Sequence, residues 1–169
     1  TGDNLVMIKS RNNRTKNDMT IHGGRPRALL FSPITSISDT VQNGETQSDP
    51  LDVNANVIRL LGNRLFQARG SVEIRRNTLT AYADSMEYQQ NIGTLTLFRK
   101  ARILSPDLES GDTLDVRGDT IHMLLPRDNI DELEARGYAH LITDAVDIKG
   151  PVLRVFFEQK KLERIVSVL

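Results

Sequence analysis

Gly118-Asp119-Thr120-Ile121-His122-Met123 is the stretch that decides how this chain is read, because three others share its frame. They are Ala55-Asn56-Val57-Ile58-Arg59-Leu60, Ala83-Asp84-Ser85-Met86-Glu87-Tyr88 and Gly150-Pro151-Val152-Leu153-Arg154-Val155. Each copy has a small residue, usually Asn or Asp next, any residue, and then apolar–any–apolar. Successive copies start 28, 35 and 32 residues apart. A period of this size marks similar supersecondary units that bury their apolar faces only against one another. Any function is therefore expected along the stack.

A second half follows each copy, opening at Leu65, Leu95, Ile130 and Leu162. Copies one and three then share Ala68-Arg69-Gly70 and Ala135-Arg136-Gly137, and copy two ends in Ala101-Arg102-Ile103. Around each small residue the alternation changes phase. Leu114, Val116 and Gly118 share one parity, whereas Ile121, Met123 and Leu125 share the other. A one-residue slip exchanges the faces of a strand unless a bulge or corner absorbs it. Small residues suit such a corner. Each unit is thus expected to be a strand, a kink, a second strand, a turn and a return strand. Pro126 to Gly137 taken alone reads as a helix, with Ile130 and Leu133 at helical spacing and Gly137 as a C-cap. The repeat argues instead for a strand there.

Composition narrows the classes. The chain has 169 residues, 38% hydrophobic and 26% charged, enough for a packed core and unlike a disordered chain. No apolar run reaches membrane-spanning length. The 22 basic and 22 acidic side chains cancel, which weighs against a nucleic-acid partner. With no cysteine, disulfides and thiolate metal sites are excluded. Residues 1–28 carry a surplus of four positive charges. Leu5–Ile8 and Met19–His22 read as short strands, the apolar run Ala28–Phe31 as a degenerate start of the array, and residues 38–50 as a loop. The division expected is 1–50 as divergent N-terminal strands and loop, and 51–169 as the repeat domain. The last copy stops within its second half, so the natural protein is expected to continue beyond residue 169.

No nucleophile elbow, phosphate loop or dinucleotide fingerprint is present. His22, His122 and His140 are not at ligand spacing, and the latter two take polar strand positions. No catalytic residue, metal site or cofactor is therefore assigned. Asp119 occupies the repeat position of Asn56 and Asp84, so a corner hydrogen bond is its simplest role. The tripeptide Arg117-Gly118-Asp119 follows from the repeat register without adhesion. Ile58, Leu60, Met86, Tyr88, Ile121, Met123, Leu153 and Val155 form a recurring stripe. It is either a filled core or the lining of an apolar groove; aliphatic side chains and methionine suit flexible acyl chains.

The phrases Ala68-Arg69-Gly70-Ser71-Val72-Glu73-Ile74 and Leu79-Thr80-Ala81-Tyr82-Ala83-Asp84-Ser85-Met86-Glu87-Tyr88 resemble the organic-solvent-tolerance-like family, which includes the periplasmic lipopolysaccharide-transport proteins. That pattern is an Ala-x-Gly-x-Val-x-Ile strand, a short turn, and Leu-x-Ala-x-Ala-Asp-x-Met/Leu-x-Tyr. The resemblance covers roughly residues 51–169. It implies an all-β fold, an open twisted β-jellyroll of stacked antiparallel repeats. It further implies a non-enzymatic lipid carrier whose interior takes lipopolysaccharide acyl chains. The implied lining adds Val72, Ile74, Leu95, Leu97, Leu133 and Leu141 to the stripe. Arg75, Arg76, Arg99 and Lys100 become candidates for phosphate contact. Implied partners are lipopolysaccharide or a related lipid, and other jellyroll transport proteins or further copies joined by edge-strand addition. Membranes would be met only through partners, and the location would be the periplasm, a signal peptide or anchor having been removed. The competing expectation is a structural or adhesive β-repeat with a filled core and protein partners only. A polysaccharide-acting β-helix enzyme ranks below both, for want of a carboxylate constellation.

Overall fold

The structure, a computed structural model, describes residues 6–9, 18–30, 50–62, 64–106, 112–125, 130–158 and 161–168. Among these residues there are twelve strands in one sheet. Four short ones come first: β1 (Val6–Lys9), β2 (Met19–His22), β3 (Arg27–Leu30) and β4 (Leu51–Asn54). Then follow β5 (Val57–Leu61), β6 (Leu65–Arg76), β7 (Leu79–Gln89) and β8 (Thr94–Pro106). The last are β9 (Thr113–Leu124), β10 (Glu132–Ile142), β11 (Asp147–Glu158) and β12 (Lys161–Val168). All pairings are antiparallel, and from β5 onward each strand pairs with the next in sequence.

Each repeat copy is therefore one hairpin: β4 and β5 with β6, β7 with β8, β9 with β10, and β11 with β12. Ala55 and Asn56 fall in the break between β4 and β5, which both pair with β6. Ala83, Gly118 and Gly150 sit in the middle of β7, β9 and β11. The register shifts beside each of them, between Arg69 and Val72, Tyr82 and Ser85, Phe98 and Ala101, and Arg136 and Ala139. On β7 the inward residues run Ala81, Ala83, then Met86, Tyr88; on β9 they run Leu114, Val116, then Ile121, Met123. The expected phase slip is thus present on β7, β9 and β11. Strands β6, β8 and β10 keep parity and absorb the bend differently. Each inserts two consecutive left-handed residues: Gly70-Ser71 (φ 81° and 49°), Arg99-Lys100 (61° and 50°) and Gly137-Tyr138 (71° and 52°). Across the strand pair, two residues face one, which is the geometry of a bulge.

The bend has a physical purpose. A single open sheet cannot close one face to water unless it folds back on itself. Here the inward residues of both halves are buried, including Val53, Ile74, Ile103 and Val116 in one half and Leu95, Leu97, Ile121 and Leu153 in the other, all at 0% exposure. Burial of such side chains stabilises by about 1.5–3 kcal/mol each. On the inner side of the bend the halves converge, and small residues recur there: Ala83, Ala101, Gly118, Ala139 and Gly150. A Cβ on Gly118 would lie 2.9 Å from the Arg136 carbonyl oxygen.

The segment that reads locally as a helix is a strand from Glu132 onward. Leu133, Ala135, Ala139 and Leu141 point inward, and pairing with β9 and β11 satisfies the backbone on both sides. Residues 126–129 lie outside the described residues, as do residues 31–49 with most of the expected 38–50 loop. The N-terminal strands continue the same sheet: β2 pairs with β5 and β3 with β4. Two of their cations are tied to it, Arg27 by a fork to Asp52 (2.6 and 2.7 Å) and Arg25 to Glu73 (3.3 Å).

Candidate functional site

The strand register joins the stripe residues into continuous inner rows. One row crosses β5 to β11 as Ile58, Ala68, Met86, Leu97, Ile121, Ala135 and Leu153. Beside it runs Leu60, Phe66, Tyr88, Leu95, Met123, Leu133 and Val155. The opposite half contributes Val53, Ile74, Ala81, Ile103, Val116 and Leu141. All fourteen residues expected to line the interior lie on this inner face. Thirteen are buried and Leu60 is half-buried against them, so the face is closed to water.

The expected lining left out Val53, Phe66, Ala81, Ile103 and Val116, all of them buried on the inner face. Their alternation was the available signal, but they fall outside the six-residue motif. The sequence reading also matched Leu65 with Leu95 and Ile130, whereas by register Leu95 stands in the row of Phe66 and Leu133, and Leu97 is the counterpart of Ala68 and Ala135. The equivalent of Gly70 and Gly137 in β8 is Arg99, and that missing glycine hid the match.

The four cations expected to meet phosphate are not brought together. Arg76 faces inward at the end of β6 and is 8% exposed. Arg75 faces outward and is held by Glu73 at 2.8 Å. Arg99 and Lys100 are exposed at the β8 corner, on the far side of the sheet from the stripe.

The outer face is organised by carboxylates clamped between two arginines on neighbouring strands. Asp115 accepts a fork from Arg102 (3.0 and 2.9 Å) and a 2.6 Å bond from Arg117. Burial pushes its carboxyl up, but the hydrogen bonds and charges of Arg117 and Arg102 win and hold it at about 2. Glu134 is bound by Arg136 and by Arg154 at 2.6 Å, and its pKa is lowered, chiefly by the Arg136 hydrogen bond. His140 Nε2 meets Asp147 Oδ1 at 2.7 Å, a hydrogen-bonded contact between β10 and β11 on the outer face. Among the described residues there is no group of three or more His, Asp or Glu side chains placed to hold a metal.

Asp119 has a steric role. A Cβ on Gly137 would lie 2.5 Å from Asp119 Oδ2, so the side chain packs over the bare glycine. Asn56 packs over Gly70 in the same way, at 2.6 Å. The corner hydrogen bond expected at this repeat position runs through the backbone at Asn56, whose N–H donates to the Arg69 and Gly70 carbonyls. Gly118 and Asp119 of the Arg-Gly-Asp tripeptide thus both serve the corner.

A bent, open-edged antiparallel sheet closed around an aliphatic inner face defines the class as a twisted β-jellyroll. Comparison with solved structures gives the same fold. The chain is similar to LptH from Pseudomonas aeruginosa, described as the LptA homologous periplasmic component of the conserved lipopolysaccharide transport device. The TM-score is 0.58 at 15% identity, covering 72% of this chain and 95% of that one. No family model and no curated protein matches.

Proposed function

We propose that this chain is a non-enzymatic periplasmic lipid carrier that takes lipopolysaccharide acyl chains against its inner face and passes them toward the outer membrane. The observation that carries this reading is the inner row from Ile58 to Leu153, aliphatic or small at every strand it crosses. Acyl chains need a flexible, ring-poor lining, and Met86 and Met123 supply adaptable contacts. The fold shared with LptH, itself a transport component, supports the assignment. The row is closed to water as it stands, so entry requires the two halves of the sheet to part along the side opposite the corners. Arg76 is the candidate for headgroup phosphate there, since it alone of the four cations faces inward. Hand-over uses the sheet edges. Among the described residues β12 pairs with β11 alone, and a sheet edge of this kind suits strand addition by another jellyroll protein or a second copy.

Photo-crosslinking residues placed at Met86, Ile121 and Leu153 in cells making lipopolysaccharide test the proposal. Lipid adducts are expected at all three. Their absence from all three would falsify the carrier and leave the reading that the same burial also fits, a structural module with a filled core.

A further inference from the structure

The outer side of the bend segregates charge in a chain whose formal net charge is zero. Six exposed cations stand in the corner row or the outward rows beside it: Arg69, Arg99, Lys100, Arg117, Arg136 and Lys149. The exposed carboxylates there are Asp84 and Asp119, and Asp119 is committed to packing over Gly137. The clamping carboxylates Asp115 and Glu134 sit one row further from the bend, where they engage Arg117 and Arg136. Arg69, Arg99, Lys100 and Lys149 make no ion pair among the described residues. Those four span β6 to β11, about 24 Å at ordinary strand spacing.

Aromatic side chains stand among these cations. The chain has only 5 Phe and 3 Tyr, yet Tyr82 (39%), Phe98 (37%) and Tyr138 (91%) are exposed beside the corners of β7, β8 and β10. Tyr138 is held outward by a left-handed backbone, φ 52°. Arg99 and Lys100 are held likewise, without a glycine to ease the strain.

We infer that this ridge docks on the surface of an anionic phospholipid bilayer. Cations splayed from a convex ridge do not converge on one phosphate; they match a broad anionic plane. Tyrosine and phenylalanine favour the boundary between headgroups and acyl chains. Each basic side chain near such a surface strengthens binding by about fivefold. The inference revises the expectation that membranes are met only through partners. It rests on the outer face, so it stands independently of what the inner face carries.

Co-sedimentation of the full chain with vesicles tests it. Binding is expected to phosphatidylglycerol–phosphatidylethanolamine vesicles, to weaken as salt rises, and to be far weaker on phosphatidylcholine. The double variant Arg99→Gln/Lys100→Gln should bind roughly twentyfold more weakly. Tyr138→Ser should weaken binding severalfold, and Arg59→Gln, an exposed cation away from the ridge, should stay within about twofold. An unchanged thermal midpoint shows that the variants fold. Equal binding to both vesicle types, no binding to either, or an unaffected double variant overturns the proposal. So does binding to heparin alone, which would mark a soluble polyanion site.

Discussion

The corners of β6 and β10 and the corner of β8 solve one geometric problem with opposite chemistry. All three insert two left-handed residues where the sheet bends. In β6 and β10 the first is glycine, and the side chain across from it, Asn56 or Asp119, settles into the space a Cβ would fill. In β8 the first is Arg99, followed by Lys100. A side chain costs of order 1 kcal/mol in this backbone region, and that cost is held in place by the surrounding pairing. Immediately beyond this corner the Asp115 clamp ties β8 to β9 through Arg102 and Arg117. The contrast teaches that the bend itself does not require glycine; the packed Asn or Asp does. Where an exposed cation replaces the glycine, the strain purchases reach toward solvent.

Three experiments probe this contrast. Gly137→Ala puts a Cβ 2.5 Å from Asp119 Oδ2 in a φ 71° backbone. It should cost about 2–4 kcal/mol, lowering the thermal midpoint by roughly 10 °C. Adding Asp119→Gly should return part of that loss by removing the clashing side chain. A neutral Gly137→Ala would show that the packed carboxylate is not what demands glycine.

Acid titration comes next in size. Asp115 has a folded pKa of about 2, below its ordinary value of 3.8. Its contribution is therefore fully present above pH ~4 and is lost as pH falls toward ~2. Both arginine partners are partly exposed, so the contribution is taken as about 1–2 kcal/mol. Asp115→Asn should flatten that part of the pH–stability curve measured by urea unfolding. A curve that keeps its acid limb in the variant assigns the effect to Glu134 or Asp52 instead, whose pKa values are also lowered.

The smallest effect has the opposite sign. Arg99→Gly relieves a φ of 61° and should stabilise by about 0.5–1 kcal/mol, read as a raised urea midpoint with an unchanged slope. The same variant should weaken vesicle binding. Destabilisation would mean that the Arg99 side chain makes a packing contribution larger than the strain.

Much of the fold was legible because the bend repeats. The phase slip from Leu114 and Val116 to Ile121 and Met123 announced a corner, and the recurrence outweighed the helical spacing of Ile130 and Leu133. The inner-face residues were legible for the same reason, since inward positions must stay apolar in every copy. The partners were not. Glu134 meets Arg154 twenty positions away, and Asp119 meets Gly137 eighteen away. Such contacts depend on register, and an inserted left-handed pair shifts the register without leaving a sequence mark when it reads Arg-Lys. The N-terminal strands carry no full repeat, so although Ala28–Phe31 read as a start of the array, nothing local revealed that β2 pairs with β5 and β3 with β4.

What the sequence determined by itself is a stack of bent β-hairpins with one aliphatic face, because alternation and small residues at fixed intervals leave little else to bury. Only the tertiary structure decided how the bend is made and which side each charge takes. It closed the aliphatic stripe inside, turned Arg76 inward, and set Arg99, Lys100 and Tyr138 on the outer ridge. The physical reason is that a strand's faces are assigned by cumulative register, and one extra residue at a corner reassigns everything that follows it.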